Sequence, residues 1–137
     1  MFDTYLVPEK TIACAKGDGP LVNINAAANR ILLLQLNLTG ITEQESLEIS
    51  VFGGPDEQGI GKSPLVSFPQ VFYVGQYPLL LNLTERPDIA ILRVHWEVNR
   101  WGRGPETPWF EFNLKATEVS PELLRARDQR QQVAGDK

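Results

Sequence analysis

Glu97 and Glu111 are the residues of this chain whose type and spacing come nearest to a reaction. If Trp101 and Trp109 face each other across the Gly/Pro turn 102–108, Asn99 pairs with Glu111 and Glu97 with Asn113. The two carboxylates then become diagonal neighbours on one sheet face. Retaining glycosidases hold two carboxyl groups about 5 Å apart. Diagonal neighbours on adjacent strands stand about 7–8 Å apart. Arg93 and Lys115 fall on the same face and balance the charge, so two solvent-facing glutamates account for the pattern.

The remaining chemistry is sparser. His95 is the only histidine and Cys14 the only cysteine. A nucleophilic site needs a base beside its nucleophile and an acid to orient the base, and spacing does not bring these two together. Zinc needs three or four protein ligands, so a His/Cys metal site is excluded. Calcium could take Asp56 and Glu57, or Asp18 between two glycines, yet neither segment has EF-hand spacing. Acidic residues in turns are explained by turn chemistry. The Gly-x-Gly pairs at Gly17/Gly19 and Gly59/Gly61 do not continue as phosphate loops, and no helix follows. Asn37-Leu38-Thr39 and Asn82-Leu83-Thr84 match the glycosylation acceptor pattern, but both asparagines fall in strands. The basic residues Arg125, Arg127 and Arg130 read as a solvated tail. The expectation is therefore no catalytic residue, no metal and no cofactor.

The elements that would position these side chains are strands. In residues 89–119 alternate positions split into an apolar and a polar face, which predicts two long strands joined as a hairpin. Val98, Trp96 and Val94 then pair with Phe112, Leu114 and Ala116 on the core side, the signature of a sheet with one buried face. Residues 30–39 repeat the pattern, with Leu32, Leu34, Leu36 and Leu38 on one face. Leucine favours helices, but the period here is two rather than 3.6. Residues 47–52 alternate with Leu47, Ile49 and Val51 inward. Short strands are expected at 11–16, 21–26, 65–68, 71–74 and 77–83. Pro69 marks an edge or an irregular crossing. Residues 1–10 read as an extended arm and 53–64 as the longest loop.

About eight strands at turn-punctuated spacing predict an all-β, antiparallel β-sandwich, jelly-roll or Ig-like. One domain covers 1–119 with its N-terminal arm. Ser120-Pro121-Glu122 then opens a short C-terminal helix and flexible tail, 120–137.

At 137 residues the chain is long enough to bury a core without staples. A net charge of −4 argues against nucleic acid as a partner. A single cysteine forbids an internal disulfide. No segment approaches the about 20 apolar residues of a membrane span, and the first residues lack the basic and apolar regions of a signal peptide. The expected location is cytoplasmic or particle-associated.

Four motifs carry a resemblance: Leu36-Asn37-Leu38-Thr39, Leu47-Glu48-Ile49-Ser50-Val51, Arg93-Val94-His95-Trp96-Glu97-Val98 and Pro108-Trp109-Phe110-Glu111-Phe112. Across residues 30–119 the chain resembles small β-sandwich structural and accessory proteins of tailed phages and phage-like particles. The resemblance implies a non-enzymatic structural protein that self-associates or coats a particle. Independently, apolar residues on the outward faces predict a second burial surface. Its candidate residues are Ile31 and Leu33, Ile89 and Ile91, and the turn residues Trp101, Arg103 and Trp109. The expected partners are copies of the chain or other structural proteins of an assembly. The alternative is a carbohydrate-binding sandwich that stacks a glycan on Trp101, Trp109 and Tyr77.

Overall fold

The computed structural model describes residues 2–41, 45–100 and 109–120. Among these, nine strands form two antiparallel sheets: β1 Asp3–Ala13, β2 Gly17–Asp18, β3 Val22–Asn23, β4 Ile31–Ile41, β5 Glu45–Gly54, β6 Val66–Ser67, β7 Gly75–Asn82, β8 Ile91–Arg100 and β9 Phe110–Glu118. The first sheet runs β1-β9-β4-β7. The second runs β2-β8-β5-β6, with β3 also on β8. No described helix is long and apolar enough to cross a membrane.

The pairing is nested. β1 pairs β9, β2 pairs β8, β4 pairs β7 and β5 pairs β6. The chain is thus a long antiparallel ribbon wrapped into two layers, and β9–β4 and β8–β5 close the layers. This is the double-sheet connectivity of a jelly roll, not the ABED/CFG division of an immunoglobulin domain.

The inward faces follow the alternation. Leu32, Leu34 and Leu36 are fully buried, as are Leu47, Val51, Val94, Phe112, Leu114 and Ala116. Fully burying a side chain of this kind contributes about 1.5–3 kcal/mol. Phe112 of one sheet meets Trp96 of the other edge-on, with ring centroids 5.4 Å apart. Gly17 lies against the same indole: a Cβ there would sit 3.0 Å from three ring atoms, so a larger residue would have to push the Trp96 ring aside.

One expectation is overturned. Residues 89–119 do not form a hairpin: β8 and β9 belong to different sheets. Their apolar faces are assigned correctly, but they meet across the core rather than side by side. Alternation identifies the buried face of a strand and says nothing about its lateral partner. A second difference is at the N-terminus. The expected arm and the short strand after it form one edge strand, β1, with Leu6 and Val7 in the core. The helix expected in 120–137 lies, beyond Ser120, outside the described residues.

Both edges of the first sheet are blunted. β7 carries Pro78 opposite Gln35, and proline offers no ladder donor. β1 is irregular between Tyr5 and Val7 and between Val7 and Thr11, and Lys10 has φ 62°. Bulges and prolines of this kind stop edge strands from pairing with other chains.

Candidate functional site

The outward face of the second sheet gathers the polar chemistry. Register sets Asp18, His95, Ser50 and Ser67 in one row across β2, β8, β5 and β6. These are the residue types of a nucleophilic triad, but the hydrogen bonds run otherwise. His95 Nδ1 stands 2.9 Å from Asp18 Oδ1. Its Nε2 faces Glu97 Oε1 at 3.5 Å. Ser50 Oγ is engaged with Ser67 Oγ at 2.9 Å. Arg93 Nε approaches Asp18 at 4.0 Å, and Asn99 donates to Glu48, which lies directly across from Glu97. The row is a bridged charge network on a half-exposed sheet face.

Glu97 and Glu111 are not neighbours. Glu97 lies on β8 and Glu111 on β9, in opposite sheets. Glu111 accepts from the Thr39 hydroxyl. The Glu97/Glu111 pair expected from the sequence therefore does not exist. Asp56 closes a turn by accepting the Gly59 N–H at 2.7 Å, and Asp18 is occupied as above. Among the described residues, no group of three or more His, Cys, Asp and Glu side chains is placed to hold a metal ion. Asn37 donates to Asn113, and Asn82 accepts from Thr84. Cys14 is exposed.

Beside the row opens a cavity of about 300 Å³. Phe52 and Arg93, paired across β5 and β8, form its floor with His95. Asp18 bounds one side. Glu57, Ile60 and Lys62, from the β5–β6 loop, bound the other. The Phe52 and His95 rings meet edge-on at 6.3 Å.

The two ends of the sandwich differ sharply. One end holds the β1–β2 and β6–β7 connections, both of which cross between sheets, and the start of β9. Here lie Ile12, Phe72, Tyr73, Val74 and Trp109, five of the seven exposed large apolar side chains among the described residues. Tyr73 is 76% exposed and Val74 57%. Tyr77 points inward from β7, and its hydroxyl donates to the Tyr73 carbonyl. The Trp109 indole lies over Gly40.

The other end is held by polar bonds. The Arg30 guanidinium donates to the carbonyls of Arg86 and Ile89 at 2.6 and 2.7 Å. Arg86 pairs with Asp88. The Glu118 carboxylate, 6% exposed, accepts the backbone N–H groups of Phe2 and Asn29, both at 3.0 Å. Those two donors hold its pKa below the usual glutamate value.

The expected contact residues scatter. Ile31 and Ile89 are buried at 3% and 1% exposure, so neither has surface to offer a partner. Ile89 joins the core through the β7–β8 turn. Leu33 and Ile91 are half-buried on opposite sheets. Trp109 is exposed at the apolar end, while Trp101 and Arg103 lie outside the described residues. Sequence reasoning missed Tyr73 and Val74, which it placed in a strand. The available signal was a run of apolar residues after Pro69 with no alternation. It also missed the Asp18–His95 contact, which joins residues 77 positions apart. Comparison with protein-family models, curated proteins and solved structures finds no match.

Proposed function

We propose that this chain is a non-enzymatic structural module that associates through its apolar end, with copies of itself or as a decoration on a larger particle. The observation that carries the reading is the concentration of exposed apolar side chains on one end, centred on Tyr73 and Val74. Large exposed apolar side chains gathered at one end of a domain mark an interaction surface. Both edges of the first sheet are blunted, which favours association end-on over strand addition. The resemblance to phage-like accessory proteins supplies the particle half of this proposal. Jelly rolls also serve as capsid and lectin domains, so the fold is compatible with the reading without selecting it.

Sedimentation velocity over a concentration series, with electron microscopy of the same material, tests the proposal. Discrete oligomers or particle-bound chains are expected. Tyr73→Asp combined with Val74→Asp should shift the population toward monomer. A chain that stays monomeric at high concentration and binds no particle would remove the reading. A three-ring platform of Trp101, Trp109 and Tyr77 has less support, because Tyr77 is turned inward.

A further inference from the structure

The cavity on the second sheet is separate from the apolar end and points to a different kind of ligand. Its charged groups balance: Asp18 and Glu57 oppose Lys62 and Arg93. A lining that mixes two carboxylates with two cations gives little electrostatic preference for an anion or a cation. What it offers instead is donors and acceptors side by side. Arg93 and Lys62 only donate, and the two carboxylates only accept. A hydroxyl does both, so a ring of hydroxyls satisfies such a mixed rim, whereas a phosphate would leave the carboxylates opposed.

Beyond these groups and His95, which is engaged with Asp18, the side chains of the lining are apolar. Phe52 contributes an aromatic ring from the floor, and Ile60 a branched side chain from the loop. The volume, about 300 Å³, is at the small end of ligand pockets. A single sugar ring combines an apolar C–H face with a rim of hydroxyls and matches this division.

The shape is also held in place. The Gly61 N–H donates to the Gly53 carbonyl. Gly59 is turned by Asp56. A Cβ at Gly54 would fall 2.3 Å from the Gly59 carbonyl oxygen, so the loop backbone is pressed against the end of β5. Asp18 is oriented by His95 Nδ1. Pre-ordered groups spare a ligand the cost of ordering them on binding.

We propose that this cavity is a binding subsite for a neutral saccharide, one ring in size. The subsite stands independently of the assembly reading and uses neither Trp109 nor Tyr73.

Amide chemical-shift titration of the full chain tests it. The probes are the methyl glycosides of glucose, galactose, mannose and N-acetylglucosamine, with inorganic phosphate and glycine titrated separately. At least one glycoside should bind saturably, with the largest shifts at Phe52, Gly61 and Arg93. Glu57→Ala combined with Lys62→Ala, both on the exposed loop, should weaken it at least tenfold while leaving the rest of the spectrum in place. Phe52→Leu should weaken it similarly, and Trp109→Ala should not. The proposal is overturned if no glycoside saturates, if phosphate or glycine binds in its place, or if the shifts and the loss follow Trp109 instead.

Discussion

The two ends of this sandwich solve one problem in opposite ways. Each must turn the chain between strands and satisfy the backbone groups that leave the ladders. At the polar end, side chains do this. Arg30 supplies two donors to carbonyls of the β7–β8 turn, and Glu118 accepts two N–H groups from Phe2 and Asn29. At the other end the described connections, β1–β2 and β6–β7, cross from sheet to sheet, and the β6–β7 crossing turns Tyr73 and Val74 outward. Side chains at the polar end are committed to the fold, whereas those at the apolar end remain accessible to a partner. Stability and association therefore separate along the long axis of the molecule, and substitutions should separate them too.

The largest effect is expected at Arg30. Arg30→Ala removes two charge-assisted bonds that tie β4 to the β7–β8 turn, and such bonds contribute about 1.5–3 kcal/mol each. A loss of about 3 kcal/mol is expected after partial rehydration of the carbonyls, read as a lower urea midpoint. An unchanged midpoint would show that the polar end does not hold the fold and would break the contrast. Gly54→Ala comes next. The added methyl meets the Gly59 carbonyl oxygen at 2.3 Å, a backbone atom that moves only with its loop. Overpacking of this kind costs about 2 kcal/mol, and thermal melting would show it.

How much of this was legible in the sequence follows from the range of each signal. Alternation is local, so the buried faces of β4, β5, β8 and β9 could be assigned residue by residue. Strand pairing is not local. Trp96 and Phe112 meet across the core from facing sheets, and sequence cannot tell a partner beside a strand from one across the core. The hairpin reading failed for that reason, and the Glu97/Glu111 pair failed with it. Ile31 and Ile89 were misjudged similarly: outward parity was taken as exposure, while the turns around them close over their side chains. The Asp18–His95 contact depends on β2 pairing with β8, which neither segment announces. Tyr73 and Val74 were legible as apolar residues but not as exposed ones.

A smaller effect tests the polar end through its acid. The Phe2 and Asn29 N–H groups favour the ionised form of Glu118, so its folded pKa lies below 4.5. A group with a depressed folded pKa binds its proton more readily when unfolded. Its contribution is fully present above the unfolded value of 4.5 and is lost as pH falls through the folded pKa. Wild type should lose part of its melting temperature in that acid window. Glu118→Gln should be less stable at pH 7, because a carboxylate acceptor is replaced by a neutral one. The gap between the two proteins should narrow as pH falls from 5 to 3 (about the range in which the carboxylate titrates). A constant gap would mean that Glu118 acts by packing rather than by charge.

The smallest stability effect, and the sharpest test of the contrast, belongs to the apolar end. Tyr73 and Val74 are mostly exposed, so removing their side chains takes little from the core. The Tyr73 carbonyl, which accepts from Tyr77, stays in place on substitution, and the ring contact of Tyr73 is with its exposed neighbour Phe72. Surface changes away from such features stay within about 0.5 kcal/mol. Tyr73→Asp with Val74→Asp should therefore melt within a degree or two of wild type (about what 0.5 kcal/mol produces in a domain of this size). The same change puts two like charges beside Phe72 on the end that also exposes Ile12 and Trp109, and burying them against a partner would be costly. Association should fall while folding does not. A double variant that loses both together would place these residues in the fold, and the two ends would no longer differ in kind.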